Sequence, residues 1–144
     1  MNVATQRNIG AFLAIVTSVP PQSASAAVVG GTIDRVSHSL AQSCVLHTAV
    51  GTVGGSPSAV SVVSVLETSP DGVNWSNYLP DGVTTAQSAA LTAADTENSL
   101  AVDLTLADRY IRVVTTPTFT GGTSPTAQVV ADVVLGGENT LPAE

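Results

Sequence analysis

No lysine occurs in this 144-residue chain, and its four arginines (Arg7, Arg35, Arg109, Arg112) face eleven acids, for a net charge of −7. Binding to a phosphate backbone draws on clustered Lys and Arg, so the balance argues against a nucleic-acid partner. Charged residues of both signs come to 10%, against about 25% in an ordinary soluble domain. A surface so short of charge and so rich in Thr, Ser, Ala and Gly implies extensive contact with other protein. Aromatic residues are 3% of the chain, which leaves Val, Ala, Leu and Ile to build the core. Cys44 stands alone. An intrachain disulfide and the cysteine metal spacings are thereby excluded, and the residue reads as a small buried hydrophobe. The apolar run near the N-terminus, about eight to eleven residues, is too short to cross a bilayer, so no membrane partner is expected.

What is present is valine and threonine in quantity, β-branched residues that suit a pleated, half-buried surface. A chain of 144 residues is one domain by length and can bury roughly two thirds of its unfolded surface. Its organising stretch is Val60 to Trp75, with its leading Ala59. Val60, Val62 and Leu66 share one side of a period-two ribbon and Val63 and Val65 the other, as in a buried strand. Ser69-Pro70-Asp71-Gly72 reads as a hairpin turn, with Pro70 presetting φ and Gly72 free to take φ > 0. The chain returns through Val73 to Leu79 with its only tryptophan, Trp75.

Residues 1–25 read as an N-terminal arm, extended or partly helical. Ile9, Phe12, Leu13 and Val16 have helical spacings, and Pro20-Pro21 forces an extended form. A first edge strand is the alternative. Arg7, the apolar run 9–16 and Ala24-Ser25-Ala26 also have the layout of a secretory leader, although a single Arg precedes the run; a retained segment is expected. From residue 26 strand and turn patterns alternate: 27–29, 32–35, 43–50, the hairpin, 99–106, 109–116 and 127–135. Leu100, Val102, Leu104 and Leu106 fall on one face. Residues 80–97 form a long small-residue connection with room for one helical turn capped by Thr92. Roughly seven or eight short strands without a helical period give an all-β fold. The expected architecture is a jelly-roll-like β-sandwich over 26–137 with a polar tail at 138–144, and the alternative is an immunoglobulin-like topology.

Few residues suggest chemistry. His38 and His47 have no Cys or carboxylate at ligand spacing, so surface or edge positions are expected. Gly54-Gly55-Ser56-Pro57-Ser58 is no nucleophile elbow, and neither a dinucleotide fingerprint nor a P-loop occurs. Asp95, Glu97 and Asn98 could supply oxygens to a cation such as calcium, or form a solvated acidic loop. Neither a catalytic, cofactor-binding nor metal site is assigned, no cofactor is called for, and an enzyme is not expected. Asp108-Arg109-Tyr110-Ile111-Arg112 concentrates charge on one strand. Arg112 shares a face with Tyr110 and could pair with Asp34, Glu67 or Asp103, either as a cross-strand ion pair or as an Arg-Tyr contact patch. Ser69-x-Asp71 followed by Trp75 is also similar to the Asp-box turn of carbohydrate-active propellers, with its glycine one place early.

Four segments in order carry a family resemblance: Gly31-Thr32-Ile33-Asp34-Arg35; Val65 through Ser69-Pro70-Asp71-Gly72 to Trp75; Ala107-Asp108-Arg109-Tyr110-Ile111-Arg112-Val113-Val114; and Val133-Val134-Leu135-Gly136-Gly137. Together they span about residues 28 to 137. The chain resembles the capsid decoration, or cement, proteins of tailed bacteriophages, with Pro70-Asp71 where such relatives often have two acids. The resemblance implies a β-sandwich on the outer surface of a virion capsid, made in the host cytoplasm. It implies a homotrimer at local threefold positions whose partner is the major capsid protein. The alternatives are a tail, baseplate or head-fibre component, and, from another class, a secreted carbohydrate-binding module using Trp75 and Tyr78.

Overall fold

The turn at Ser69-Pro70-Asp71-Gly72 closes as its residue types dictate. In the computed structural model, which describes residues 9–137, Gly72 adopts φ +74. The Asp71 carboxylate accepts from the Val73 and Asn74 N–H groups, each at 2.8 Å, and from Asn74 Nδ2 at 2.7 Å. A second Pro-Asp-Gly-Val sequence, Pro80 to Val83, repeats the device, and Asp81 accepts from Val83 N at 2.9 Å and Thr84 N at 2.6 Å. The backbone donors hold the Asp71 carboxyl far below the usual carboxylate range and that of Asp81 at about 2. Because both values are lower in the folded chain than the ordinary 3.8, their stabilisation is complete above the ordinary value. It is lost as pH falls through the folded one. The melting temperature of the wild type should therefore drop from about pH 4 downward, while Asp71→Asn starts lower at neutral pH and falls less steeply. Parallel thermal melts of the two proteins check this.

The chain forms β1 (Leu13–Ala24), β2 (Val28–Val29), β3 (Ile33–Asp34), β4 (Ser43–Gly54), β5 (Ala59–Ser69), β6 (Ser76–Asn77), β7 (Thr96–Asp103), β8 (Tyr110–Thr120) and β9 (Thr126–Gly136). Pairing is antiparallel and nested: β5 with β6, β4 with β7, β2 and β3 with β8, β1 with β9. The molecule is thus one long ribbon whose tip is the Asp71 turn. Rolling that ribbon adds the pairs β4–β9 and β5–β8. Two sheets result, β1-β9-β4-β7 and β2-β8-β5-β6, with β3 also on β8. This strand order is jelly-roll connectivity and not the immunoglobulin alternative.

The inner faces meet in a core of Val, Ala, Leu and Ile, to which Cys44 and Tyr78 add other buried apolar types and against which Phe119 packs. On β5 Val62, Ser64, Leu66 and Thr68 are buried on one face, and the opposite face from Ser61 to Glu67 is half-buried before the buried Ser69 ends the strand, so one side is core. The buried hydroxyls of Ser64 and Thr115 satisfy each other at 2.8 Å.

Several expectations are corrected. Leu13 to Ala24 belongs to the sandwich as edge strand β1, so the domain begins before residue 26 and the edge-strand reading of this stretch holds. Pro20-Pro21 lies within the second of two register shifts, between Val19 and Gln22, where an edge strand tolerates missing donors. Residues 1–8 of the expected arm and the tail 138–144 lie outside the described residues. The hairpin's return strand is only Ser76–Asn77, because the following residues run along the β5 edge. Tyr78 N donates to Leu66 O, Leu66 N to Ala86 O, and Val62 and Leu91 exchange both backbone bonds. Thr92 caps no helix; residues 94–95 are a turn with Asp95 at φ 54. β7 ends at Asp103, which leaves Leu106 65% exposed. β8 continues through Pro117 to Thr120, past the Val28 end of β2 opposite Thr115.

One side of the sandwich is sewn shut. Gly30 N donates to Val113 O at 2.8 Å and Gly31 N to Ser18 O at 2.7 Å, while Ser18 Oγ receives Val113 N at 3.0 Å and donates to Gly31 O. At one end, Arg35 is 5% exposed, and its guanidinium donates to the carbonyls of Ala41, Ala107 and Asp108 at 2.8, 2.5 and 3.0 Å.

Candidate interaction surface

The outer face of the five-stranded sheet gathers the residues that the sequence marked around Arg109. Register places Val29 beside Val114 and Val114 beside Val65, an apolar row across three strands. Val29 is 57% exposed, and the other two are half-buried. Two residues along, Arg112 stands opposite Glu67, and its Nε donates to Glu67 Oε2 at 2.7 Å. The Trp75 ring lies under the same guanidinium, 4.1 Å from its centroid, with the indole N–H donating to Gly72 O at 3.2 Å. Arg109 forms a two-pronged pair with Asp34, Nε to Oδ1 at 3.0 Å and Nη2 to Oδ2 at 2.6 Å, and sits 4.9 Å from the Tyr110 ring centroid. The hydrogen bonds from Arg109 lower the Asp34 carboxyl, and Asp34 in turn raises the arginine.

Of the three partners considered for Arg112, the structure selects Glu67. Asp34 goes to Arg109, and Asp103 instead accepts from the Thr105 N–H at 2.8 Å. The Trp75 contribution is new. The aromatic pair considered for glycan binding does not form an open platform, since Tyr78 is 2% exposed and Arg112 covers Trp75.

The outer face of the four-stranded sheet differs. His47 has carboxylates after all: Nε2 lies 3.1 Å from Glu97 Oε2 and Nδ1 3.9 Å from Asp132 Oδ2. Strand register brings them together from distant positions. His38 lies half-buried in the 3₁₀ turn Arg35–His38. Asp95, Glu97 and Asn98 do not converge: Glu97 faces His47, while Asn98 Nδ2 donates to Ala89 O. Among the described residues no group of three or more His, Cys, Asp or Glu is placed to hold a metal. Cys44 is 4% exposed and burial pushes its thiol up to about 12, so it is an inert core residue.

Comparison with family models yields no match, and none arises among curated proteins. Among solved structures, the chain is similar to the SPBc2 prophage-derived protein YomS at 9% identity, covering 85% of this chain and 91% of that one, TM-score 0.47. It is similar at 14% identity to a protein of Bacillus endospore appendages, described as disulfide-linked pili, over 90% and 91% of the two chains, TM-score 0.42. A protein of the T13 infectious bursal disease virus particle is 14% identical over 87% of this chain and 31% of that one, TM-score 0.48.

Proposed function

We propose that this chain is a structural, non-enzymatic protein of a tailed-bacteriophage virion. In this reading it docks on the outside of the capsid, as a homotrimer, and stabilises contacts between major capsid subunits. The supporting observation is the outer face of the five-stranded sheet. Its two arginines are matched by Glu67 and Asp34, so the face is neutral in a chain of net charge −7. It combines exposed valine with Trp, Tyr and Arg, the side chains enriched where proteins meet. The four ordered segments that resemble decoration proteins place most of these residues: Asp34, Glu67, Trp75, Arg109, Tyr110, Arg112 and Val114. A shell gains from such a subunit because several modest contacts, each of roughly 1,000 Å² or more, act together.

The test is co-sedimentation with empty phage heads. Val29→Asp, at a side chain 57% exposed, should keep the melting temperature near wild type and reduce head binding by at least about tenfold. Retained binding removes this face from the contact. Cryo-electron microscopy of particles then checks the location: copies over the whole shell support decoration, whereas copies at one vertex move the protein to the tail, baseplate or head fibre.

A further inference from the structure

The side of the sandwich opposite Ser18 is open. β7 ends the four-stranded sheet, and among the described residues its only strand partner is β4. Leu104 N donates to Gln42 O at 2.8 Å, next to the facing pair Ser43 and Asp103. In an antiparallel ladder this makes Ser43 and Asp103 a non-hydrogen-bonded pair, so Glu97, Ser99, Ala101 and Asp103 turn their N–H and C=O groups away from β4. Tyr78 OH takes the Asp103 carbonyl at 2.6 Å. The remaining three residues have no backbone partner on that side among the described residues.

That edge borders a groove of about 500 Å³, with Thr84, Thr85 and Gln87 on one wall and Leu100, Ala101 and Val102 on the other. On the far wall Ala86 and Ser88 bond toward Tyr78, Leu66 and Ser64 on the β5 side, and by the same alternation the Gln87 N–H and C=O turn toward the groove. The groove therefore offers the β7 backbone groups on one wall and those of Gln87 on the other, with Leu100 and Val102 as its apolar lining.

Charge decides the occupant. The outward side chains of β7 are Glu97, Ser99, Ala101 and Asp103, an acid at each end of two small residues. A second copy pairing β7 to β7 about its centre would set Ser99 against Ala101 and Glu97 against Asp103, two acid–acid contacts that disfavour self-pairing. We propose that this edge binds an extended strand of a different protein by β-augmentation. That strand would carry Lys or Arg at its first and seventh positions, small residues at the third and fifth, and apolar residues between them facing the groove. The proposal is independent of the virion reading, because its test uses this chain and a synthetic peptide alone.

The probe is acetyl-KVTVTVK-amide, with acetyl-EVTVTVE-amide as its charge-reversed counterpart, titrated into the ¹⁵N-labelled full chain. The basic peptide should shift the Ser99 and Ala101 amides and bind roughly fivefold or more tightly than the acidic one. Ala101→Pro removes an N–H that the β4 ladder does not use, so the domain should stay folded and the shifts should vanish. Glu97→Lys, at a side chain 73% exposed, should narrow or reverse the preference whether or not the proline variant folds. The proposal is overturned by unmoved Ser99 and Ala101 amides at about 1 mM basic peptide, or by equal affinity for the two peptides.

Discussion

Arg35→Ala is expected to lower the unfolding free energy by about 3–4 kcal/mol, the cost of stripping charge-assisted bonds from several buried carbonyls at once. The guanidinium is almost wholly enclosed, and burial draws it below the ordinary arginine value, yet an arginine remains protonated in a protein. Its donors link the turn that leads into β4 with the connection between β7 and β8, through Ala41, Ala107 and Asp108. Alanine leaves those carbonyls facing a void. Arg35→Lys should recover only part of the loss, because an ammonium is a point donor and cannot reach across the fork. Urea unfolding of the three proteins measures the series. If both variants unfold within about 1 kcal/mol of wild type, the arginine does not hold these segments together.

The adjacent glycines Gly30 and Gly31 give the second large effect, and a sharp contrast. A Cβ on Gly30 would lie 2.8 Å from both Ser18 O and Val113 O and closer still to Ser18 Oγ, whereas on Gly31 its nearest neighbour is Ser18 O at 3.8 Å. The Gly30 contacts are chiefly backbone, from strands in two different sheets, so no rotamer change relieves them. Gly30→Ala should cost about 3 kcal/mol, at the upper end of overpacking, and lower the melting temperature by about 10 °C. Gly31→Ala should be close to neutral. Equal melting temperatures for the two variants would show that the β1–β8 side tolerates separation.

The sequence made the jelly roll legible wherever strands alternate cleanly, as in β4, β5, β8 and β9. It misled at β1, and the reason is physical. That strand carries two register shifts, and Ser18 and Val19 are buried side by side. Alternation is therefore broken, and its apolar residues fall at helix-like intervals. Residues 80–97 looked structureless because their pairing with β5 is made by isolated bridges at Leu91 and Gln87 rather than by a patterned strand. The Arg112 patch was visible as residue types, but its partner depended on cross-strand register. The same holds for His47, which meets carboxylates 50 and 85 positions away. Arg35 gave no signal, since nothing in its neighbours distinguishes a buried arginine from a solvated one.

Last in chain order among the described strands, β9 stands between β1 and β4 in the middle of its sheet. During synthesis β1 therefore emerges more than a hundred residues before the β9 backbone that completes its ladder. Local contacts can shape the hairpin at Asp71 early, but the four-stranded layer cannot zip until β9 has been made. With so many pairings between distant positions, assembly belongs to the slow, millisecond-to-second class. In the meantime the growing chain exposes two unclosed flanks of valine-rich backbone, a state in which the absence of lysine leaves little cationic charge to discourage premature sticking.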